Sequence, residues 1–373
     1  MTAAALVARA LRNPGDPFPT SCGIAADELI ACAARHRTLV LLGSLLRASG
    51  TLHSWPPAFV DAFLAGRRDA VAVDCIRHAE LTRVLAALAA RRVRALTFKG
   101  AAVAHAYYPA PHMRPHTDTD LLVSAGDLPA AEDTFVSLAY GRQRETTGRL
   151  VSYQRHFGKR DRHGLFHAFD VHVKISNRQA LADRVTFEEL WDRRVPIPPL
   201  GESAATVGAC DALLLALVHR AGHHPGSRDL LWIYDLHLLA TAITEDGREQ
   251  FARLAGSRGL RLIACDGLRL ARESFGTPAA DRIIEALGRR RAGRGEVPVI
   301  RRAPTETDLL RLDLQALSTW RDRGRLVREH LFPAPSYMRG KYGVRSPLLL
   351  PALYAWRVVA AAPRWLRGRG GPT

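Results

Sequence analysis

The hydrophobic period of this chain changes twice, and those changes constrain its fold more than any other feature. Up to residue 92, apolar residues recur at helical spacing. Residues 25–48 and 58–92 read as helices, the second carried by Phe59, Phe63, Val71, Ile76, Leu81, Val84, Leu85 and Leu88. At Val93 the texture shifts to short apolar runs between turns. Ala95–Phe98 and Asp118–Val123 read as strands, and Gly100–Tyr108 as a helix stopped by Pro109 and Pro111. Leu128–Leu138 reads as a helix with Asp127 placed to cap it. Leu150–Phe157 and Leu165–Ile175 read as two more strands, around a turn at Asp161–Gly164. The proline block Val195–Leu200, followed by Gly201, closes this island. Helical spacing returns at 209–222, 228–243, 247–257, 260–275 and 278–290, followed by a basic linker over 288–298 and a helix over 305–323. A chain so patterned folds as α+β, a small mixed sheet flanked by N- and C-terminal helical regions. The expected divisions are 1–94 for the N-terminal helical region, 95–200 for the core, 201–330 for the C-terminal helical domain and 331–373 for a basic and apolar tail.

Composition excludes several classes. With 47% hydrophobic and 24% charged residues among 373, the chain can bury a sizeable core and is not intrinsically disordered. Its five cysteines (Cys22, Cys32, Cys75, Cys210 and Cys265) form no CxxC pair. They read as reduced residues of a cytoplasmic protein, neither a disulfide framework nor a zinc site. The first residues lack a basic region and meet Pro14 early, unlike a signal peptide. The apolar stretch Pro347–Trp365 is interrupted by Pro351, Arg357 and Pro363, which argues against a transmembrane segment. It reads as a packed terminal helix, with contact at a membrane surface as the alternative. The net charge of +17 suits a polyanionic partner, but Arg on solvated faces accounts for it more simply.

Three segments carry chemistry. In His116-Thr-Asp118-Thr-Asp120-Leu-Leu-Val123, Asp118 and Asp120 share one face of a strand while Leu121 and Val123 face the core. Two carboxylates on one face repel each other unless a cation lies between them. In Phe169-Asp170-Val171-His172-Val173-Lys174-Ile175, the apolar residues alternate with Asp170, His172 and Lys174. Such a polar face can be merely solvated. If the strand lies beside the first, Asp170 joins the carboxylates, and three carboxylates can hold two magnesium ions. In Phe98-Lys99-Gly100-Ala101, a strand enters a helix through glycine. Helix N-terminal amides bind phosphate, and Gly100 permits close approach. Lys99, Arg114 and His116 are further candidates for a triphosphate, and His172 for a phosphate or acceptor contact. Farther on, His219, Arg228, Trp232 and Asp235 are candidates to line the substrate cleft, with structural hydrogen bonding the competing role. His219 and His223 have i, i+4 metal-ligand spacing, but no third ligand accompanies them.

The order of strand, glycine, helix, DxD strand and acidic strand resembles the DNA polymerase β-like nucleotidyltransferase superfamily. More closely, the chain is similar to the uncharacterised bacterial nucleotidyltransferase family known as NTP transferase family 5. The segments that carry the likeness are FKGAAVAHAYYP (98–109), RPHTDTDLLV (114–123), AFDVHVKI (168–175), LLLALVHRAGHHPGSRDLLWIYDLHLL (213–239) and HLFPAPSYMRGKYG (330–343). The resemblance implies a polymerase β-like nucleotidyltransferase core over 95–200. It also implies an enzyme that uses Mg2+ and an NTP, with ATP the expected one, and releases pyrophosphate. Asp118, Asp120 and Asp170 would be the catalytic metal ligands, with Lys99, Gly100, Arg114, His116 and His172 around the nucleotide. The acceptor stays open among small molecule, sugar, peptide and protein. Two features depart from the superfamily pattern. Ala101 replaces a serine after the glycine, and 18 residues separate Gly100 from Asp118. Both place more weight on Lys99 and Arg114. The rival readings are an inactive nucleotide-binding or regulatory module, and a nucleic-acid-binding polymerase relative. The intact carboxylates oppose the first. The lack of RNA-binding aromatic motifs or basic repeats opposes the second.

Overall fold

The structure is a computed structural model that describes residues 1–143, 148–289, 295–300, 304–344 and 346–366. Four helices open the chain: α1 (Ala3–Arg12), α2 (Ala26–Arg35), α3 (Leu39–Ala48) and α4 (Pro57–Ala90). The single helix expected over 25–48 is therefore two, with axes 112° apart. Arg37 adopts a left-handed φ of 56°, and Thr38 N–H closes back on the Ala33 carbonyl at 2.8 Å. That geometry ends a helix. Helix α4 starts with Pro57 at its first position, where a missing N–H costs nothing.

The α/β island follows: β1 (Ala95–Phe98), α5 (Lys99–Tyr107), β2 (Thr119–Val123), α6 (Leu128–Ser137), β3 (Gly141–Arg142), β4 (Gln154–Arg160) and β5 (Phe166–His172). The five strands form one mixed sheet in the order β1-β2-β5-β4-β3, with β2 and β5 parallel and the other pairs antiparallel. One face buries Leu121, Val123, Phe157, Phe169 and Val171 against Phe135 of α6 and Leu81, Val84, Leu85 and Leu88 of α4. The Phe135 and Phe157 rings stack at 4.6 Å. The other face contributes Leu96, Phe98 and Leu122 to a larger core shared with helices before and after the sheet. Both faces are thus covered, and the polar residues of that second face open onto the site.

Several local expectations change. Asp127 stands at the α6 N-cap position without a side-chain capping bond and lies 3.6 Å from Arg94 instead. The strand expected over 150–157 runs over 154–160, and its partner ends at His172. Val173 still packs with Phe169 and Val171, but alternation fails beyond it, and Ile175 packs in the larger core. The short β3 was not expected, and neither were α7 (Gln179–Ala182) and α8 (Phe187–Asp192).

The strands β6 (Arg194–Pro196) and β7 (Ala205–Val207) pair across the proline block, so a small hairpin spans residues 200 and 201. Then come α9 (Ala209–His223), α10 (Leu230–Ala242), α11 (Glu245–Ser257), α12 (Arg261–Phe275) and α13 (Pro278–Gly288). Residues 290–294 of the expected linker lie outside the described residues; beyond them, Val297 N–H bonds the Gly259 carbonyl at 2.9 Å. The helix expected over 305–323 is broken into α14 (Glu306–Ala316) and α15 (Trp320–Leu331). Leu317 is extended, and the Thr319 hydroxyl accepts from Asp322 N–H as a new N-cap. Helices α16 (Pro335–Tyr342) and α17 (Leu350–Leu366) complete the described chain. Among the described residues, no single helix is long and apolar enough to cross a membrane.

Candidate active site

Strand pairing assembles the site. Asp120 is in register with Asp170 across the parallel pair β2–β5, and with Phe98 across β1–β2. Side chains in register on neighbouring strands point to the same face. His172 lies two residues beyond Asp170 and shares that face. Ligand atoms of Asp120, Asp170 and His172 all lie within 4.8 Å of one another. Asp118 sits just before β2 at the same end of the sheet and, with these residues, lines a cleft of about 490 Å³.

The carboxylates differ sharply in environment. Asp120 Oδ1 accepts from Lys99 Nζ at 2.8 Å and from His172 Nε2 at 2.8 Å. Burial opposes its charge, but Lys99 and His172 outweigh burial and hold its carboxyl well below the usual range. Asp118 is shifted the other way, first by burial and then by repulsion from Asp120 and Asp170. Burial, aided by the Lys99 charge, lowers the His172 pKa and favours the neutral ring, whose Nδ1 is buried without a partner. Asp170 Oδ1 bonds His156 Nδ1 at 2.6 Å, and Gln154 reaches the other nitrogen of that ring at 3.0 Å. Sequence reading missed His156. Register places it opposite Asp170 in β4, and the signal was available in the alternation of Gln154, His156 and Gly158 once the strand is set at 154–160.

Lys99 occupies the corner between β1 and α5 with a left-handed φ of 55°. A non-glycine residue held there costs of order 1–3 kcal/mol and clusters at functional sites. Here the conformation accompanies an ammonium turned onto Asp120 and 3.4 Å from His172 Nε2. Gly100, at the start of α5, leaves little room for a side chain. A Cβ would stand 3.0 Å from Arg114 Nη1 and 3.3 Å from His116 Cβ.

Arg114 is held as a fork on Asp235, with Nε and Nη2 at 2.9 and 2.6 Å, and Tyr108 donates to the same carboxylate at 2.8 Å. Asp235 is therefore an anchor for Arg114. The remaining nitrogen, Nη1, faces Gly100. His116 lies beside it, its pKa lowered to about 4 by burial and by Arg77, which donates to the His116 carbonyl.

The opposite wall comes from α9 and α10. His219 lines the cleft with its Nδ1 buried and unpartnered. Its ring lies 5.3 Å from His223 and 5.0 Å from His224, and His224 packs on Trp232 at 4.0 Å. Arg37 covers the indole at 4.7 Å and is tethered to Asp229 at 2.9 Å. Burial drives all three imidazole pKa values down, that of His223 to about 3. The His219–His224–Trp232 part of the wall is thus uncharged and aromatic, with Arg37 over the indole. Of the cleft candidates, His219, Trp232 and Asp235 line it, whereas Arg228 is exposed in the loop before α10. Arg37, Arg220, His223 and His224 line it too. Arg37 could not be assigned from sequence because it comes from the α2–α3 corner, far away along the chain.

The donor set fits a divalent cation. Two carboxylates and an imidazole converge, a third carboxylate stands beside them, and the accumulated negative charge is only partly balanced by Lys99. No curated protein matches the chain. Residues 23–276 match the sequence profile of a family described as uncharacterised nucleotidyltransferase, and the chain belongs to that family.

Proposed function

We propose that this protein is a metal-dependent nucleotidyltransferase. It moves a nucleoside monophosphate from an NTP, ATP in the first instance, to a nucleophilic acceptor. The observation that carries this reading is the register of Asp120 with Asp170, with His172 on the same face and Lys99–Gly100 at the adjoining strand-to-helix corner. That order of elements also supports a polymerase β-like core. Asp118, Asp120 and Asp170, joined by His172, would hold magnesium, two ions in the fullest form, which would supply charge stabilisation at the transferred phosphorus.

The chain's own residues do the rest. Gly100 gives phosphate oxygens access to the first amides of α5. Lys99 and Arg114 Nη1 supply cationic donors there, with Arg114 kept rigid by Asp235 and Tyr108. The base stacks on the His224–Trp232–Arg37 wall. Asp170, oriented by His156, faces the acceptor. The acceptor oxygen bonds the α-phosphorus as the α–β bridging bond breaks, pyrophosphate leaves with that electron pair, and the acceptor proton passes to the Asp170 side. The cleft shares Asn177 and His223 with a smaller cavity of about 250 Å³, which gives the acceptor room.

The test is pyrophosphate release from labelled ATP with magnesium and candidate acceptors, with mass spectrometry for a monophosphate adduct. Wild type forms the adduct and Asp120→Asn does not. Equal rates would refute the metal mechanism. Magnesium-dependent ATP binding with no adduct on any acceptor would favour a nucleotide-binding module, and salt-dependent RNA or DNA binding a polymerase relative.

A further inference from the structure

The C-terminal helices show an inverted surface. In α17 and the turn leading into it, Leu348, Leu349, Ala352, Ala355, Trp356 and Val359 are exposed. Their spacing of three and four residues makes one continuous stripe along the helix. The stripe turned inward carries Leu353, Tyr354 and Arg357. Tyr354 donates to the Pro333 carbonyl at 2.6 Å, and Arg357 donates twice to the His330 carbonyl, at 3.1 and 2.9 Å. A helix that faced only water would present Arg357 outward and bury Trp356, which is 61% exposed, and Leu348, which is 86% exposed. Phe332, itself 52% exposed, lies 5.8 Å from the Tyr354 ring and extends the apolar surface past the helix. The packed terminal helix expected from sequence is thus attached by one stripe only.

Charge says what covers the other stripe. Residues 318–373 hold eleven Arg and Lys against two acidic residues, a net +9 of the chain's +17. Apolar side chains with an exposed Trp, in a segment of the sequence rich in basic residues, match the interface of an anionic bilayer, where the rings enter the headgroup boundary and the cations meet the phosphates. An RNA partner would use the charge but not Leu348, Leu349 and Val359. A second protein copy would use the apolar stripe but would be repelled by the charge. The segment lies beyond residues 23–276, the part of the chain that matches the family.

We propose that α15–α17 dock the protein on anionic lipid membranes as a peripheral anchor, with the exposed stripe of α17 lying in the interface. The experiment is flotation of the full-length protein with phosphatidylcholine vesicles containing about 30 mol% phosphatidylglycerol, compared with phosphatidylcholine alone. Wild type floats with the anionic vesicles and much less with the neutral ones. Trp356→Glu and Leu348→Glu each lower partitioning by at least about tenfold, since each replaces a buried apolar contact by a charge at the interface. Both sites are exposed, so the variants keep the wild-type circular dichroism and melting temperature. Wild type remaining with the soluble fraction would overturn the proposal. So would variants that float as well as wild type, which would make the attraction one of bulk charge. Wild-type dimers that Trp356→Glu dissociates would assign the stripe to a second copy, and RNA binding abolished by the same substitutions would assign it to nucleic acid; either also overturns the proposal.

Discussion

Replacing Lys99 by methionine removes the one ammonium within the carboxylate cluster while keeping the side chain's length. The Lys99–Asp120 contact is 2.8 Å, and both side chains are about nine-tenths buried. At an effective dielectric of about 20, that separation corresponds to roughly 6 kcal/mol of attraction. Relief of lysine desolvation offsets part of it, and His172 still bonds Asp120. Breaking a buried pair from one side costs about 3–5 kcal/mol in net terms. Without metal, Lys99→Met should therefore melt several degrees below wild type. A bound divalent cation restores the missing positive charge, and at about a hundredfold excess over its Kd it contributes about 2.7 kcal/mol. In wild type the cation must first displace the ammonium from Asp120; in the variant it need not. Melting followed by fluorimetry in EDTA and in Mn2+ reads both effects. The variant should lose stability in EDTA and gain more than wild type on adding Mn2+. A variant as stable as wild type in EDTA, or with a smaller metal-induced gain, would refute the view that Lys99 balances the cluster.

Gly100→Ala should weaken ATP binding about tenfold or more with little loss of fold, because its Cβ would stand 3.0 Å from Arg114 Nη1 and push that cation off the phosphate path; unchanged affinity by calorimetry contradicts it. ATP with magnesium should quench the tryptophan fluorescence of wild type and not that of Trp232→Leu, and quenching that persists in the variant would remove the base from the wall. Acidification should lower the melting temperature. His223 titrates at about 3 in the fold against 6.5 unfolded, so its contribution is complete above pH 6.5 and is lost as pH falls toward 3. By pH 5 this residue alone costs about 2 kcal/mol, and His105, pushed down to about 4 by burial, acts in the same direction. His223→Asn should flatten the profile between pH 7 and 5, and an equally steep profile in that variant would contradict the assignment.

Much of the site was legible because it depends on short-range pattern. The twofold alternation around Asp118–Asp120 and Asp170–His172 fixes which face each residue takes, and a one-residue slip would turn the acids away from the cleft into the apolar core. The mixed sheet followed from short apolar runs between helical stretches. Long-range pairing was not legible. Arg114 and Asp235 are 121 positions apart, and Lys99 and Asp120 are 21. Nothing local announces that Arg114 is clamped or that Lys99 neutralises Asp120. Arg37 enters the cleft only because a left-handed residue turns α2 into α3, and no glycine marks that turn. Arg228 read as part of the α10 face, but the helix starts at Leu230, capped by Asp229, and leaves it outside. The exposed stripe of α17 was invisible for a related reason: periodicity reveals two faces of a helix but not which one meets the protein.

The most direct test is calorimetry of ATP binding to wild type and Asp170→Asn, each with magnesium and with EDTA. Asp170 comes from a different strand than the DxD pair, so its contribution depends on the β2–β5 register. A metal-dependent nucleotide site predicts wild-type binding in magnesium that weakens at least about tenfold in EDTA, and an Asp170→Asn protein whose weak binding no longer responds to magnesium. ATP affinity that is equal with and without magnesium, or a magnesium response that survives Asp170→Asn intact, would contradict it.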